Sequence, residues 1–320
     1  MKGTVQRVRL GARGVSSFIL APSLLAFLLL PLASTMTHAQ SSADVNLLET
    51  GAARKISVPR ASPAWIKVVS YNIRWRGGEE LRKLIELFKT DAEVGGAFVL
   101  GLQEVDRNKK RTGNANTARQ MAEALGMYYA WAAPPSAGKD TEEETGVCVL
   151  SPYPLTDVRR ILLPNEGPGG RRRVALGATV QIGTTSVRVY SVHAETRVSM
   201  EMKLEQYAAV LDDLAAYDKT TGGKPLPAIV LGDFNTWQAS ASREVPELFT
   251  RSGFATPFPK DLATFRWKSF LGSVELKLDW LWLRGLAARA YGVNRRIELS
   301  DHWPLWADVR MSDEHETMKR

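Results

Sequence analysis

The stretch Leu231-Gly232-Asp233-Phe234-Asn235-Thr236 carries the clearest chemistry in the chain. It follows Ala228-Ile229-Val230, a short apolar run that reads as a buried strand. On an extended backbone Asp233 and Asn235 share one face while Phe234 turns back to the core. Gly232 lets the strand end abruptly. A carboxylate and an amide side by side at a strand end can hold a water and a metal ion. The same residue types also make plain turns, so this segment alone decides nothing.

Further polar residues close other apolar runs. Ile66 to Asn72 and Phe98 to Glu104 read as strands that end in an amide and a carboxylate, and Val187 to His193 as one that ends in an imidazole. Leu276 to Leu283 alternates, with Asp279 opposite Leu278 and Trp280. Ser300-Asp301-His302 precedes a last strand, 306–311. A charged group after an apolar run is costly if buried unpaired, so it lies at the strand mouth or binds something. In a layered α/β fold such strand ends gather into one cleft. The hard oxygen donors among Asn72, Glu104, Asp233, Asn235, Asp279 and Asp301 suit magnesium or manganese, and His193 and His302 add acid–base groups. No nucleophilic Ser or Cys arrangement accompanies them, so attack by water is expected.

The elements that must position these groups follow from periodicity. Helices are predicted over 79–89, 117–125 and 202–217 and near 245–251, with further strands at 128–132, 146–150 and 174–182. The helix over 202–217 places Leu204, Tyr207, Ala208, Leu211, Leu214 and Ala215 on one face. Nothing divides the chain after residue 62, so 63–311 is expected as one domain, with a charged tail at 312–320. Residues 40–62 are patternless and read as a loose arm. Basic clusters at Lys109-Lys110-Arg111 and Arg171-Arg172-Arg173 are candidate phosphate contacts, Arg172 and Arg173 foremost. Trp75 and Trp237, beside Asn72 and the central motif, could serve a stacked base, a lipid surface or simply the core.

The first 39 residues read as an export signal. Lys2, Arg7, Arg9 and Arg13 precede an apolar stretch from Phe18 to Leu32, and Thr37-His38-Ala39 suits cleavage after Ala39. Pro22 and Pro31 bracket an apolar core too short to span a bilayer, which disfavours an uncleaved anchor. Removing these four basic residues from 42 Lys+Arg leaves 38 against 34 Asp+Glu, a mildly basic net charge of +4. The lone Cys148 excludes an intrachain disulfide and reads as a buried strand residue. A periplasmic or extracellular monomer with no obligate protein partner is expected.

In order along the chain, Ser70-Tyr71-Asn72, Leu102-Gln103-Glu104-Val105-Asp106, Ser191-Val192-His193, Gly232-Asp233-Phe234-Asn235, Leu278-Asp279-Trp280 and Ser300-Asp301-His302 resemble the endonuclease/exonuclease/phosphatase superfamily. The resemblance covers roughly residues 65–311. It implies a deoxyribonuclease-like four-layer fold, a two-sheet α/β sandwich flanked by helices, with a Mg2+- or Mn2+-dependent phosphoester hydrolase site at one rim. It also implies roles. Glu104 binds the metal with Asn72 and Asp301. Asp233 orients or deprotonates the water, and Asn235 holds that water or a phosphate oxygen. His302, oriented by Asp279, acts on the phosphate or leaving oxygen, His193 is a second histidine, and Glu144 is the carboxylate that pairs with it. The implied substrate is a phosphoester, nucleic acid or a phospholipid head group: a nuclease-like phosphodiester hydrolase first, with a phospholipid-directed phosphodiesterase or a phosphatase of the same superfamily as the alternative. An inert binding protein on this fold is disfavoured because Asp233, Asn235, Asp279 and His302 are all intact.

Overall fold

The computed structural model describes residues 47–56, 63–135, 144–223, 225–270 and 272–311. The export-signal reading and the charged tail therefore lie outside the described residues. Fourteen strands are described. β1 (Leu48–Ala52), β2 (Trp65–Asn72), β3 (Val99–Arg107), β4 (Tyr128–Ala132), β5 (Glu144–Ser151), β13 (Ala287–Val293) and β14 (Leu305–Arg310) form one sheet in the order β1-β4-β5-β3-β2-β14-β13. β6 (Leu155–Leu162), β7 (Val174–Ile182), β8 (Thr185–His193), β9 (Ala228–Asp233) and β12 (Asp279–Arg284) form the other, β12-β9-β8-β7-β6. β10 (Phe265–Ser269) and β11 (Gly272–Leu276) pair only with each other.

The layering follows from strands that are apolar on both faces. Ile229 and Leu231 of β9 point between the sheets, where they meet Ile66 and Val68 of β2 and Val147 and Val149 of β5. Val230 points the other way, onto helices α3 (Met200–Thr220) and α4 (Ala241–Arg251). The outer face of the first sheet is covered by α1 (Gly78–Thr90) through Leu81, Leu84, Ile85 and Phe88, and by α2 (Thr117–Leu125) through Ala118 and Met121. The result is helix, sheet, sheet, helix, as expected. The two sheets pack closely in the middle, where a Cβ on Gly101 of β3 would stand 2.0 Å from Leu231 Cδ1 of β9.

Two parallel pairs set up the site. β2 runs parallel to β3, with α1 as their crossover, and β8 runs parallel to β9, with α3 as theirs. Parallel strands present their carboxyl ends together, and both pairs end in polar residues: Asn72 beside Gln103, and His193 directly opposite Asp233. Antiparallel β12 then sets Asp279 opposite Asp233 from the other side.

Three local expectations need correction. The arm at 40–62 is not uniformly loose, because β1 adds five residues to the edge of β4. Gly232 does not end its strand; with φ 139° it stays in β9, where a Cβ would stand 2.0 Å from the Val192 carbonyl oxygen of β8. The buried face of α3 includes Lys203 and Gln206 and leaves Ala215 exposed.

Candidate active site

The strand ends converge on a cleft of ≈ 520 Å³ lined by Glu104, His193, Asp233, Asn235, Asp301 and His302, with Arg74, Trp75, Arg173 and Trp237 at its sides. Backbone strain concentrates here. Arg74 (φ 47°), Trp75 (φ 52°), Glu104 (φ 56°) and Asn235 (φ 54°) all line it in left-handed conformation, which non-glycine residues seldom adopt. At Glu104 a bulge in the β3–β5 pairing turns the carboxylate out of the ladder and into the cleft. At Asn235 the left-handed turn, rather than strand alternation, brings the residue beside Asp233, whose Oδ1 accepts from the Asn235 backbone N–H at 2.9 Å.

Asp233 is the centre. Its Oδ2 accepts from Asn72 Nδ2 at 3.1 Å and lies 3.6 Å from His193 Nε2 and 3.7 Å from His302 Nε2. Burial raises its carboxyl to about 7; Asp279 pushes the same way, and His302 opposes.

The two imidazoles differ in what lies behind them. Burial disfavours a charged His302 ring, yet Asp279 and Asp233 overrule it and raise the ring to about 10. His302 Nδ1 donates to Asp279 Oδ2 at 2.8 Å, and Thr264 Oγ1 donates to that same oxygen at 2.7 Å. The Phe265 ring stands edge-on to the imidazole at 4.9 Å between centroids. His193 is pushed well below the usual histidine range, first by burial and then by the cations Arg173, His302 and Arg171. Arg173 Nη1 sits 3.4 Å from His193 Nδ1. A guanidinium can only donate, so Nδ1 accepts and the His193 proton sits on Nε2, facing Asp233.

Behind Arg173 lies Glu195, fully buried. Burial would raise its acid, but Arg171 and Arg173 hold it below the usual carboxylate range. Arg171 Nε donates to it at 2.8 Å and Arg173 Nε at 3.2 Å. Lys203, also buried, donates from Nζ to the Asn235 carbonyl and, at 2.9 Å, to Gln238 Oε1, which fixes the loop after β9. Thr264, Glu195 and Lys203 were not legible as site residues. A carboxylate two residues past His193 was the one available signal.

Two other sequence candidates fall elsewhere. Glu144 does not pair with His193; its two oxygens accept from Arg107 Nε and Nη2, each at 2.9 Å. Arg172 does not line the cleft and instead reaches Glu166 at 3.1 Å, because alternation along the chain sends Arg173 inward and Arg172 outward. The cluster at 109–111 is likewise committed in part: Arg111 forms a two-pronged ion pair with Asp106 and lies 4.3 Å over the Trp75 ring.

For a cation, the donor chemistry fits on the Glu104 side. Glu104 and Asp301 both line the cleft, and Asn72 Nδ2 ties Glu104 Oε1 (3.2 Å) to Asp233. Asp301 Oδ2 already attracts a cation, the Arg74 guanidinium, at 3.3 Å. These are hard oxygen donors of the kind magnesium and manganese take. Asp233, Asp279 and His302 also offer ligand atoms within 4.8 Å of one another. There, however, the Asp279–His302 hydrogen bond and the His302 proton would compete with a metal.

The Endonuclease/Exonuclease/phosphatase family model matches residues 69–302. No curated protein matches the chain in sequence. Among solved structures, an endonuclease/exonuclease/phosphatase from Beutenbergia cavernae is 21% identical, covering 78% of this chain and 72% of that one, with a TM-score of 0.60. ANGEL2, a 2′,3′-cyclic phosphatase, is 16% identical over 77% of this chain and 95% of its own (TM-score 0.57). A mannosyl-6-phosphatase from Bacteroides thetaiotaomicron is 16% identical over 77% and 100% (TM-score 0.55). At these identities the likeness to the solved structures is one of fold.

Proposed function

The chain belongs to the endonuclease/exonuclease/phosphatase family, a family of phosphoesterases, and on that premise we propose that its cleft hydrolyses phosphodiesters with a divalent cation, water attacking phosphorus directly. The observation that carries the reading is one carboxylate, Asp233, between two buried imidazoles, one backed by the Asp279 carboxylate and the other by the Arg173 guanidinium. Asp233, with its carboxyl near 7, takes the proton of the attacking water; a base poised near the working pH does this best. The Asn235 amide nitrogen is committed to the Ala194 carbonyl at 3.0 Å, which leaves its side-chain oxygen to orient that water. His302, cationic and aimed by Asp279, donates from Nε2 to the phosphoryl or leaving oxygen. Neutral His193 donates from Nε2 to a second phosphoryl oxygen. Glu104, Asn72 and Asp301 would hold the cation, magnesium or manganese, which offsets charge developing on the phosphoryl oxygens.

With the amino terminus read as an export signal, the reaction takes place outside the cytoplasm, in the periplasm or beyond. Nucleic acid is the first substrate class, since Arg74 and Arg173 place positive charge beside the scissile position and the exposed Trp237 at the rim offers a ring for stacking. A phospholipid head group is the second, favoured by the exposed aromatic side chains near the cleft.

The test is hydrolysis of DNA, RNA, bis(p-nitrophenyl) phosphate and p-nitrophenylphosphorylcholine by the purified protein, with Mg2+ or Mn2+ and again in excess chelator. Turnover of at least one diester that stops on chelation is expected. Full turnover in chelator would overturn the metal role, and no turnover of any diester would overturn the activity. Glu104→Gln should raise the metal concentration needed for half-maximal rate while leaving Tm nearly unchanged.

A further inference from the structure

Large apolar side chains that remain exposed concentrate on one element. Trp267 (56%), Phe270 (95%) and Val274 (48%) all belong to the β10–β11 ribbon. Trp267 and Val274 are direct cross-strand partners and therefore share a face. Phe270 lies in the connection between the strands, where a tight hairpin ordinarily takes Gly, Asn or Asp. Neither feature helps the fold. A two-stranded ribbon outside both sheets is marginal alone, and these side chains bury little on folding.

The ribbon is rooted in the active site. Phe265 packs edge-on against His302, the Arg266 backbone N–H donates to the Asp301 carbonyl at 2.8 Å, and Thr264, one residue before β10, holds Asp279. Phe265 and Leu276, at the two feet, line the cleft together with Trp237, itself 53% exposed.

We propose that the β10–β11 ribbon is a membrane-docking element. Phe270 and the Trp267–Val274 face enter the surface layer of an anionic phospholipid bilayer and bring the cleft to the headgroups. A second copy or another protein is the weaker occupant. Two aromatic side chains of roughly 150–250 Å² each and one valine fall short of the roughly 800 Å² per partner that a stable interface buries. A bilayer needs no matching surface; it takes Trp at headgroup level and an apolar tip below it. Around the ribbon Arg266, Lys268 and Arg295 stand against Glu275 and Glu298, with which they pair, and the remaining positive charge favours anionic lipid. Docking is independent of which phosphoester is cleaved, so it can be read without turnover.

Cys148, the chain's one cysteine, is buried, so Ser269→Cys, on the Trp267–Val274 face beside the tip of the ribbon, would take a polarity-sensitive dye selectively. Vesicles of phosphatidylcholine with phosphatidylglycerol should shift its emission to the blue, saturably. Adding Trp267→Ser and Phe270→Ser should weaken that partition at least about tenfold with Tm unchanged. The apolar segment 18–32 is present in both proteins, so the difference reports the ribbon alone. No shift with vesicles, or a shift that survives the double substitution, would overturn the proposal. So would a shift produced by self-association without vesicles, or by an oligonucleotide in their place.

Discussion

The two walls of the cleft hold the same side chain in opposite states. On the β12 wall, His302 is backed by Asp279, which is itself held by Thr264. On the β8 wall, His193 is backed by Arg173, which leans on Glu195. Burial disfavours charge on both rings, so burial cannot explain the difference. What decides it is the sign of the group behind each ring: a carboxylate makes His302 a standing acid, and a guanidinium makes His193 a neutral donor. Asp233 sits between them with its own carboxyl near 7. Opposed environments around paired titratable groups are how one site runs acid and base chemistry at a single pH.

The largest effects should come from removing the centre or the cationic wall. Asp233→Asn and His302→Ala should each lower kcat by at least ~100-fold, the usual size of a positioned acid–base contribution. Tm should change little in Asp233→Asn and fall in His302→Ala, which leaves the buried Asp279 carboxylate without its partner. Near-normal rates in both variants would remove the cleft from the chemistry altogether.

Asp279→Asn should give a weaker form of the His302 defect, because the imidazole remains but loses the charge that keeps it protonated. Combined with His302→Ala it should cost less than the two single losses together, as for groups that act as one unit. Full additivity would show that Asp279 works through something other than His302.

Arg173→Met sharpens the comparison from the other wall. With the guanidinium gone the His193 pKa rises, so the ring's nitrogen-15 resonances should titrate at higher pH than in the parent protein. An unmoved His193 titration would mean that Arg173 does not set the state of His193.

The smallest expected effects are in stability against pH, and they carry opposite signs. His302 has a raised folded pKa, so its contribution is fully present below ~6.5 and is lost as pH rises from there through about 10. His193 is depressed, so the unfolded chain binds the extra proton below ~6.5 and stability falls on acidification. In denaturant titrations His302→Asn should flatten the alkaline decline and His193→Asn the acid one. The same slope change in both variants would erase the distinction between the walls.

Much of this was legible because strand ends announce themselves. An apolar run closed by Asn72, Glu104, His193 or Asp233 has a physical reason to end there, and the cleft gathers all four. The groups that set the rings' charge states were harder to read. Thr264 carries no charge and sits in no periodic segment, and Lys203 looks like the solvent face of a helix. Its burial depends on a loop carbonyl, that of Asn235, 32 residues away. Glu144 and Arg172 had the right chemistry but the wrong neighbours: Arg107 and Glu166 reach them first, and sequence distance does not reveal that competition. The β10–β11 ribbon was missed because its apolar residues serve no core, and periodicity reads only the pattern that burial imposes.

The central claim is that the two rings differ in protonation at one pH. Nitrogen-15 NMR of the four histidines in the metal-free protein at pH 7.5, assigned by single substitutions, tests it directly. The account predicts that His302 carries protons on both ring nitrogens and that His193 is neutral with its proton on Nε2. Two neutral rings, or two that titrate together near the ordinary histidine value, would contradict it.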